Sequence, residues 1–209
     1  AYISGPITDK VGFSVAGYMR RSDGFVKYAS PTTPGATAGK AAPMRQDAVR
    51  IKLKADLTDN LWVKLAYNYA YVNDPRFSLY STYENMLASR NIPSRPTRLG
   101  VVASTFAPQL SSEIHQGTMT IGLDTGIGEL KSYTSYAANQ LINKFDFDGS
   151  YSNYIGSGGS GNLSTFSYTS NKQTTFQQAI DYSITAIDRL NLIVGANYFH
   201  DKLESNRDG

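Results

Sequence analysis

The chain has 209 residues, a formal net charge of +3, 18% charged residues and 12% aromatic ones. Charge this mild and this scattered does not make a nucleic-acid surface. The absence of Cys excludes a disulfide framework, a thiolate zinc site and a Cys nucleophile. Two His argue against a His-rich metal site, and 18 Gly with 8 Pro are too few for a collagen-like or low-complexity chain.

Taken in chain order, the dominant signal is alternation with period two, the mark of half-buried strands. Residues 1–5 form a stub. Lys10–Arg21 places Val11, Phe13, Val15 and Met19 on one face. Val49–Leu57 sets Val49, Ile51, Leu53, Ala55 and Leu57 against Arg50, Lys52, Lys54 and Asp56. Leu61–Tyr71 sets Leu61, Val63, Leu65, Tyr67, Tyr69 and Tyr71 against Trp62, Lys64, Ala66, Asn68 and Ala70. Gln116–Asp124 follows, then Gly128–Asn139, whose faces alternation leaves undetermined. Thr174–Thr185 and Leu190–Lys202 complete about seven strands, each near the ~9–11 residues that a membrane-spanning strand needs. No apolar run approaches the ~20 residues of a transmembrane helix.

The connections alternate in length. Short turns fall at Pro6-Ile7-Thr8-Asp9, Thr58-Asp59-Asn60, Asp124-Thr125-Gly126-Ile127 and Ile187-Asp188-Arg189, where Asp and Asn suit tight turns. The links between them, at 22–45, 73–114 and 140–173, are long, and all three leave the same end of successive hairpins. Short turns at one end and long loops at the other are the pattern of an outer-membrane barrel. Ser81–Arg90 has the composition of a short helix, and Gly156–Gly161 reads as a flexible tip or an engineered linker. The expected fold is all-β: an antiparallel meander forming part of a transmembrane barrel.

Charge assigns the faces. An Arg or Lys facing lipid costs roughly 2–4 kcal/mol at the midplane. Three of them on the Arg50, Lys52, Lys54 face would cancel the stability of an ordinary domain. The apolar face is therefore expected toward lipid and the charged face toward a lumen, with Tyr67, Tyr69 and Tyr71 as an aromatic girdle. Val49, Ile51, Leu53, Val63 and Leu65 should then be exposed. A three-residue turn at Thr58-Asp59-Asn60 sets Leu57 against Leu61, Lys54 against Lys64, Lys52 against Ala66 and Arg50 against Asn68. The two facing Lys need counter-charge, from an acidic plug or from water and ions in the lumen.

The stretches Tyr2-Ile3-Ser4-Gly5-Pro6-Ile7-Thr8-Asp9-Lys10, Arg21-Ser22-Asp23-Gly24-Phe25, Val49-Arg50-Ile51-Lys52-Leu53 and Val194-Gly195-Ala196-Asn197-Tyr198-Phe199-His200 carry a family likeness. In them the chain resembles the barrel of TonB-dependent outer-membrane receptors. The resemblance implies about a third of a 22-stranded barrel in the bacterial outer membrane. It implies a separate plug domain that contacts TonB, and import of a scarce nutrient such as a ferric siderophore, cobalamin or a sugar. No segment matches the plug or the TonB-contact segment. The ends, without a leader at Ala1 and finishing Asn206-Arg207-Asp208-Gly209, read as cuts, the last inside another long loop. The implied partners are outer-membrane lipid, the remaining barrel and plug, TonB through that plug, and a small ligand such as a ferric chelate.

No catalytic constellation is present, so the expectation is a non-enzyme without cofactor or metal. His115 and His200 are expected at loop-side strand ends, solvated or at an interface. Asp146-Phe147-Asp148-Gly149-Ser150 resembles a calcium loop but lacks its further acidic ligands and bidentate Glu. Gly126-Ile127-Gly128 reads as a hairpin turn, since no helix follows it to cradle phosphate. Candidate ligand contacts are the basic face, Arg50, Lys52, Lys54 and Lys64, and the basic second long loop, Arg90, Arg95 and Arg98. Basic residues in a cleft favour an anionic substrate; pairing with a plug would use the same charges without meeting ligand. The same strands also suit a passive porin or structural barrel, and a soluble all-β binding module is the third reading.

Overall fold

An extended strand sends successive side chains to opposite faces, so a sequence alternating over many residues builds a sheet with two unlike faces. The computed structural model describes residues 1–28, 39–41, 43–75, 101–102, 108–146, 166–187 and 190–208. Its elements are β1 (Tyr2–Thr8), β2 (Val11–Ser22), β3 (Val26–Tyr28), β4 (Lys40–Ala41), β5 (Met44–Asp56), β6 (Leu61–Asn73), β7 (Val101–Val102), β8 (Gln109–Asp124), β9 (Gly128–Asp146), β10 (Phe166–Ile187) and β11 (Leu190–Asp208). Eight of them form one sheet in the order β1-β2-β5-β6-β8-β9-β10-β11, each antiparallel to its neighbours. This is the expected meander. A small second sheet joins β3 antiparallel to β4 and parallel to β7, tying the first long link to the second.

Three expectations need correction. The stub at 1–5 is a full strand, β1, paired with β2 and bulged between Pro6 and Thr8, so the sheet has eight strands. β8 starts at Gln109, β9 runs to Asp146, β10 starts at Phe166 and β11 runs to Asp208. Backbone pairing carries these strands past the point where alternation fades, because ladder hydrogen bonds form whatever the side chains are. The links 73–114 and 140–173 are correspondingly shorter, and Asn206–Asp208 lie in a strand rather than a loop. For the same reason His115 and His200 sit inside β8 and β11, not at strand ends. Ser81–Arg90, Gly156–Gly161 and the rest of the Asp146–Ser150 segment after Asp146 lie outside the described residues.

The tight turns have the expected chemistry. At the β5–β6 hairpin the Leu57 amide donates to the Leu61 carbonyl at 2.8 Å, and the Leu61 amide donates to the Thr58 hydroxyl at 3.1 Å. The turn between β8 and β9 needs Gly126 at φ 82, a left-handed conformation that Gly adopts without steric cost. Its amide donates to the Asp124 carboxylate at 2.8 Å. Pairing of Ser22 with Met44, Asn73 with Ser111 and Asp146 with Phe166 brings the three long links to one end of the sheet.

The eight-stranded sheet is a single layer. Among the described residues the buried hydrophobic ones are Ala41 and Met44, both beside the small sheet. Val49, Ile51, Leu53 and Leu65 are exposed, as expected. Val63 is not: it is half-buried in the sheet centre, with Ala55 and Ile121 as its cross-strand neighbours.

On the apolar face, the last described large apolar residues or tyrosines toward the long links are Met19, Val49, Tyr71, Met119, Ile142, Tyr168 and Tyr198. Followed across the sheet, the level of Met19 passes through Asp47, Tyr71, Glu113, Gln140 and Lys172 to Glu204. Tyr198 lies six residues below Glu204 on β11. The edge of the apolar face is therefore ragged: it stands two residues above this level at Ile142 and four above at Tyr168, and six below at Met119 and Tyr198.

Candidate functional site

The charged face is built on β2, β5, β6 and β8. One row across it reads Ser4, Ser14, Lys52, Ala66, Thr118; the next reads Pro6, Gly12, Lys54, Lys64, Thr120. The small side chains around Lys52 leave a concavity of about 650 Å³, lined by Ser4, Ser14, Lys52, Lys54, Lys64, Thr118 and Thr120 among others. Lys54 stands directly opposite Lys64, Lys52 opposite Ala66 and Arg50 opposite Asn68, the register that parity and the three-residue turn predict.

Within the sheet Lys54 finds a counter-charge and Lys64 a neutral aromatic ring. Lys54 pairs with Asp56 at 2.9 Å on its own strand. Lys64 lies 4.5 Å from the centre of the Trp62 ring, a cation–π contact. Trp62 in turn lies flat over Gly122, its cross-strand partner, where a Cβ would collide with the indole. Among the described residues Arg50 and Lys52 have no carboxylate partner. The concavity thus presents Lys52, which no carboxylate of the described residues pairs, beside Ser and Thr hydroxyls, with Asp9 and Asp56 also in its lining; Lys52 and the hydroxyls form a donor set that suits an oxyanion. Sequence reasoning found the four cations. It missed Ser14, Thr118 and Thr120, because their rows meet Lys52 and Lys64 only through pairing of distant strands.

Toward the long links the same face carries hydrogen-bonded amides and hydroxyls. Asn68 donates to Gln116 at 3.3 Å, Ser112 to Asn139 at 3.1 Å and Ser205 to Asn171 at 2.7 Å. Asp201 accepts from Thr175 at 2.6 Å and from Gln173 at 3.0 Å.

The apolar face also turns polar toward the long links. Arg21 and Arg45, cross-strand partners, share Asp47 at 2.6 Å each, and Arg45 lies 5.2 Å over the Tyr71 ring. One turn of the pleat closer to the belt, the Tyr67 hydroxyl meets His115 Nδ1 at 2.8 Å, and His115 Nε2 meets Glu113 at 3.2 Å. Arg90, Arg95 and Arg98 lie outside the described residues. No helix of the described residues is long and apolar enough to cross a membrane. No protein-family model matches the sequence, and no curated protein matches it above chance.

Proposed function

We propose that this chain is a segment of the β-barrel of a TonB-dependent outer-membrane receptor that imports a scarce nutrient, such as a ferric siderophore, and is not an enzyme. The observation that carries the membrane part is the exposed apolar face, with Val49, Ile51, Leu53 and Leu65, of a single-layer sheet whose other face holds Arg50, Lys52, Lys54 and Lys64. A soluble sheet needs a second layer to bury its apolar face. A lipid belt does not, and in a barrel its level cuts the strands at their tilt, ~35–45°. Along β6, from Leu61 to Tyr71, the belt is ~33 Å long, or roughly 23–27 Å tall at that tilt, close to the ~25 Å of a barrel's apolar band. The receptor identity rests on the resemblance of Tyr2–Lys10 and the other matched stretches. In it the rest of the barrel and a plug lie beyond these residues, the plug engages TonB, and the long links face outside the cell.

The basic concavity then lies in the lumen, near the short-turn end, and attracts an anionic chelate; Arg90, Arg95 and Arg98 would meet it first. A passive porin is the second reading. It is favoured by one observation: Lys54 and Lys64 are compensated by Asp56 and Trp62, so they require no plug. Uptake by the full-length protein separates the two. For the receptor, uptake of a ferric chelate depends on the inner-membrane energy supply. It falls when Ser81–Arg98 is shortened and, separately, when Lys52 and Lys54 become Gln, with barrel insertion unchanged. Energy-independent permeation would favour the porin. Unchanged uptake after both changes would remove the ligand role of these residues.

A further inference from the structure

The concavity on the charged face holds donors that the sheet itself leaves unused. Ala66 floors it, with Lys52 on one side and Thr118 on the other; the next row places Lys64 and Thr120 side by side. The Thr118 and Thr120 hydroxyls, and those of Ser4 and Ser14 beyond Lys52, make no hydrogen bond to a described residue. Nearer the long links the same face spends its polar groups on one another, as Asn68 does on Gln116 and Ser112 on Asn139. Lys52 has no carboxylate partner among the described residues. Lys10, Lys52, Lys54 and Lys64 line the concavity against Asp9 and Asp56, a formal excess of two positive charges.

We infer that this concavity binds one phosphate group, seated over Ala66 between Lys52 and Thr118, with Lys64 and Thr120 as its further donors. The inference rests on the barrel reading for the water-filled lumen that this face meets, and it names the group by which an anionic ligand is held there. Charge selects the class. A phosphate group carries about −1.5 to −2 at pH 7, which matches the excess of the lining; a carboxylate leaves half of that excess unmet. Geometry selects it again. Lys52 and Thr118 stand two strand spacings apart, roughly 10 Å between backbones, so their donors reach the space over Ala66 from opposite sides. A tetrahedral group turns oxygens toward both sides and toward the next row at once, whereas a carboxylate offers two oxygens in one plane. A volume of about 650 Å³ also leaves room beside the phosphate for an organic remainder, next to Ser14 and Ser4. The shared chemistry is therefore inorganic phosphate or a phosphomonoester.

The test is equilibrium dialysis of the full-length protein, folded in a phosphate-free maltoside detergent, against radiolabelled inorganic phosphate, with glycerol 3-phosphate and acetate as competitors. The wild type should bind one phosphate, and acetate should displace it only weakly. Lys52→Gln should weaken phosphate roughly tenfold or more, as loss of a charge-assisted contact does. Thr118→Val, which removes a neutral donor, should weaken it roughly threefold. Ala66→Leu, which fills the floor and leaves every charge in place, should abolish binding. Lys131→Gln removes one cation from the same face outside the concavity, where Lys131 pairs with Glu129 at 2.6 Å, and should leave binding unchanged. Stronger displacement by glycerol 3-phosphate than by unlabelled phosphate would assign the site to an ester, and weaker displacement to the free ion. Equal losses in Lys52→Gln and Lys131→Gln would show diffuse attraction to the lumen and overturn the site, as would retained binding in Ala66→Leu. Displacement by acetate as effective as by phosphate would overturn the phosphate assignment. Energy-dependent chelate uptake without phosphate binding would remove the site and keep the receptor reading; phosphate binding without energy-dependent uptake would do the reverse.

Discussion

Replacing Leu53 with Arg tests which medium the apolar face meets. Leu53 lies four residues from Val49 and four from Leu57, at the middle of the belt on β5, between Phe13 and Leu65 on the neighbouring strands. It is 40% exposed, so the longer side chain meets no packed core. If the face met water, the change would cost at most ~0.5 kcal/mol, as for ordinary surface substitutions. At the midplane of a bilayer it costs ~2–4 kcal/mol. At 1.4 kcal/mol per tenfold, that is a fall of roughly 30- to 700-fold in the folded-to-unfolded ratio. Two controls bracket it. Leu57→Arg, at the turn-side end of the belt, should cost only ~0–1 kcal/mol because the penalty falls toward the interface. Ala66→Arg, on the opposite face and facing Lys52, should cost ~0.2–1 kcal/mol from like-charge repulsion. The assay is reversible urea unfolding of the full-length protein in phospholipid vesicles. A penalty for Leu53→Arg no larger than that for Leu57→Arg would refute the lipid assignment of this face.

Three further outcomes are expected. Lys54→Cys with Lys64→Cys should form a disulfide within the assembled sheet, since directly opposed positions fall within the ~4.4–6.8 Å Cα range of a bridge; pairing Lys54→Cys with Leu65→Cys should not, because Leu65 points to the other face. Gly122→Ala should displace the Trp62 ring, costing ~1–3 kcal/mol as overpacking does, read as a lowered urea midpoint and a shifted Trp62 emission. Asp47→Asn should leave the opposed Arg21 and Arg45 without their shared carboxylate and lower the urea midpoint; an unchanged midpoint would contradict the Arg21–Asp47–Arg45 arrangement.

Much of the sheet follows from local rules that the sequence obeys. Alternation put Leu53 and Leu65 on one face and Lys52 and Lys64 on the other, because side-chain direction in a strand has period two. A three-residue turn then left only one register, and Lys54 faces Lys64 as parity requires. Strand ends were a different matter. Toward the long links Leu141 and Ile142 of β9 fall on opposite faces and the end of β11 is mostly polar, so alternation carries no one-faced signal there, and only pairing with a neighbour extends β9 to Asp146 and β11 to Asp208. The fate of the basic face was likewise decided in three dimensions. That Asp56 would reach Lys54 was open to a local reading, two residues along one face. That Trp62 would fold over Gly122 and hold Lys64 depended on β8 arriving beside β6 after a long link. The Tyr67–His115–Glu113 chain has the same origin. A sequence specifies which face each residue takes, since that is set by the residue's own position along the strand. Which residues from distant strands stand side by side is set by how the strands register, and that is a property of the assembled sheet.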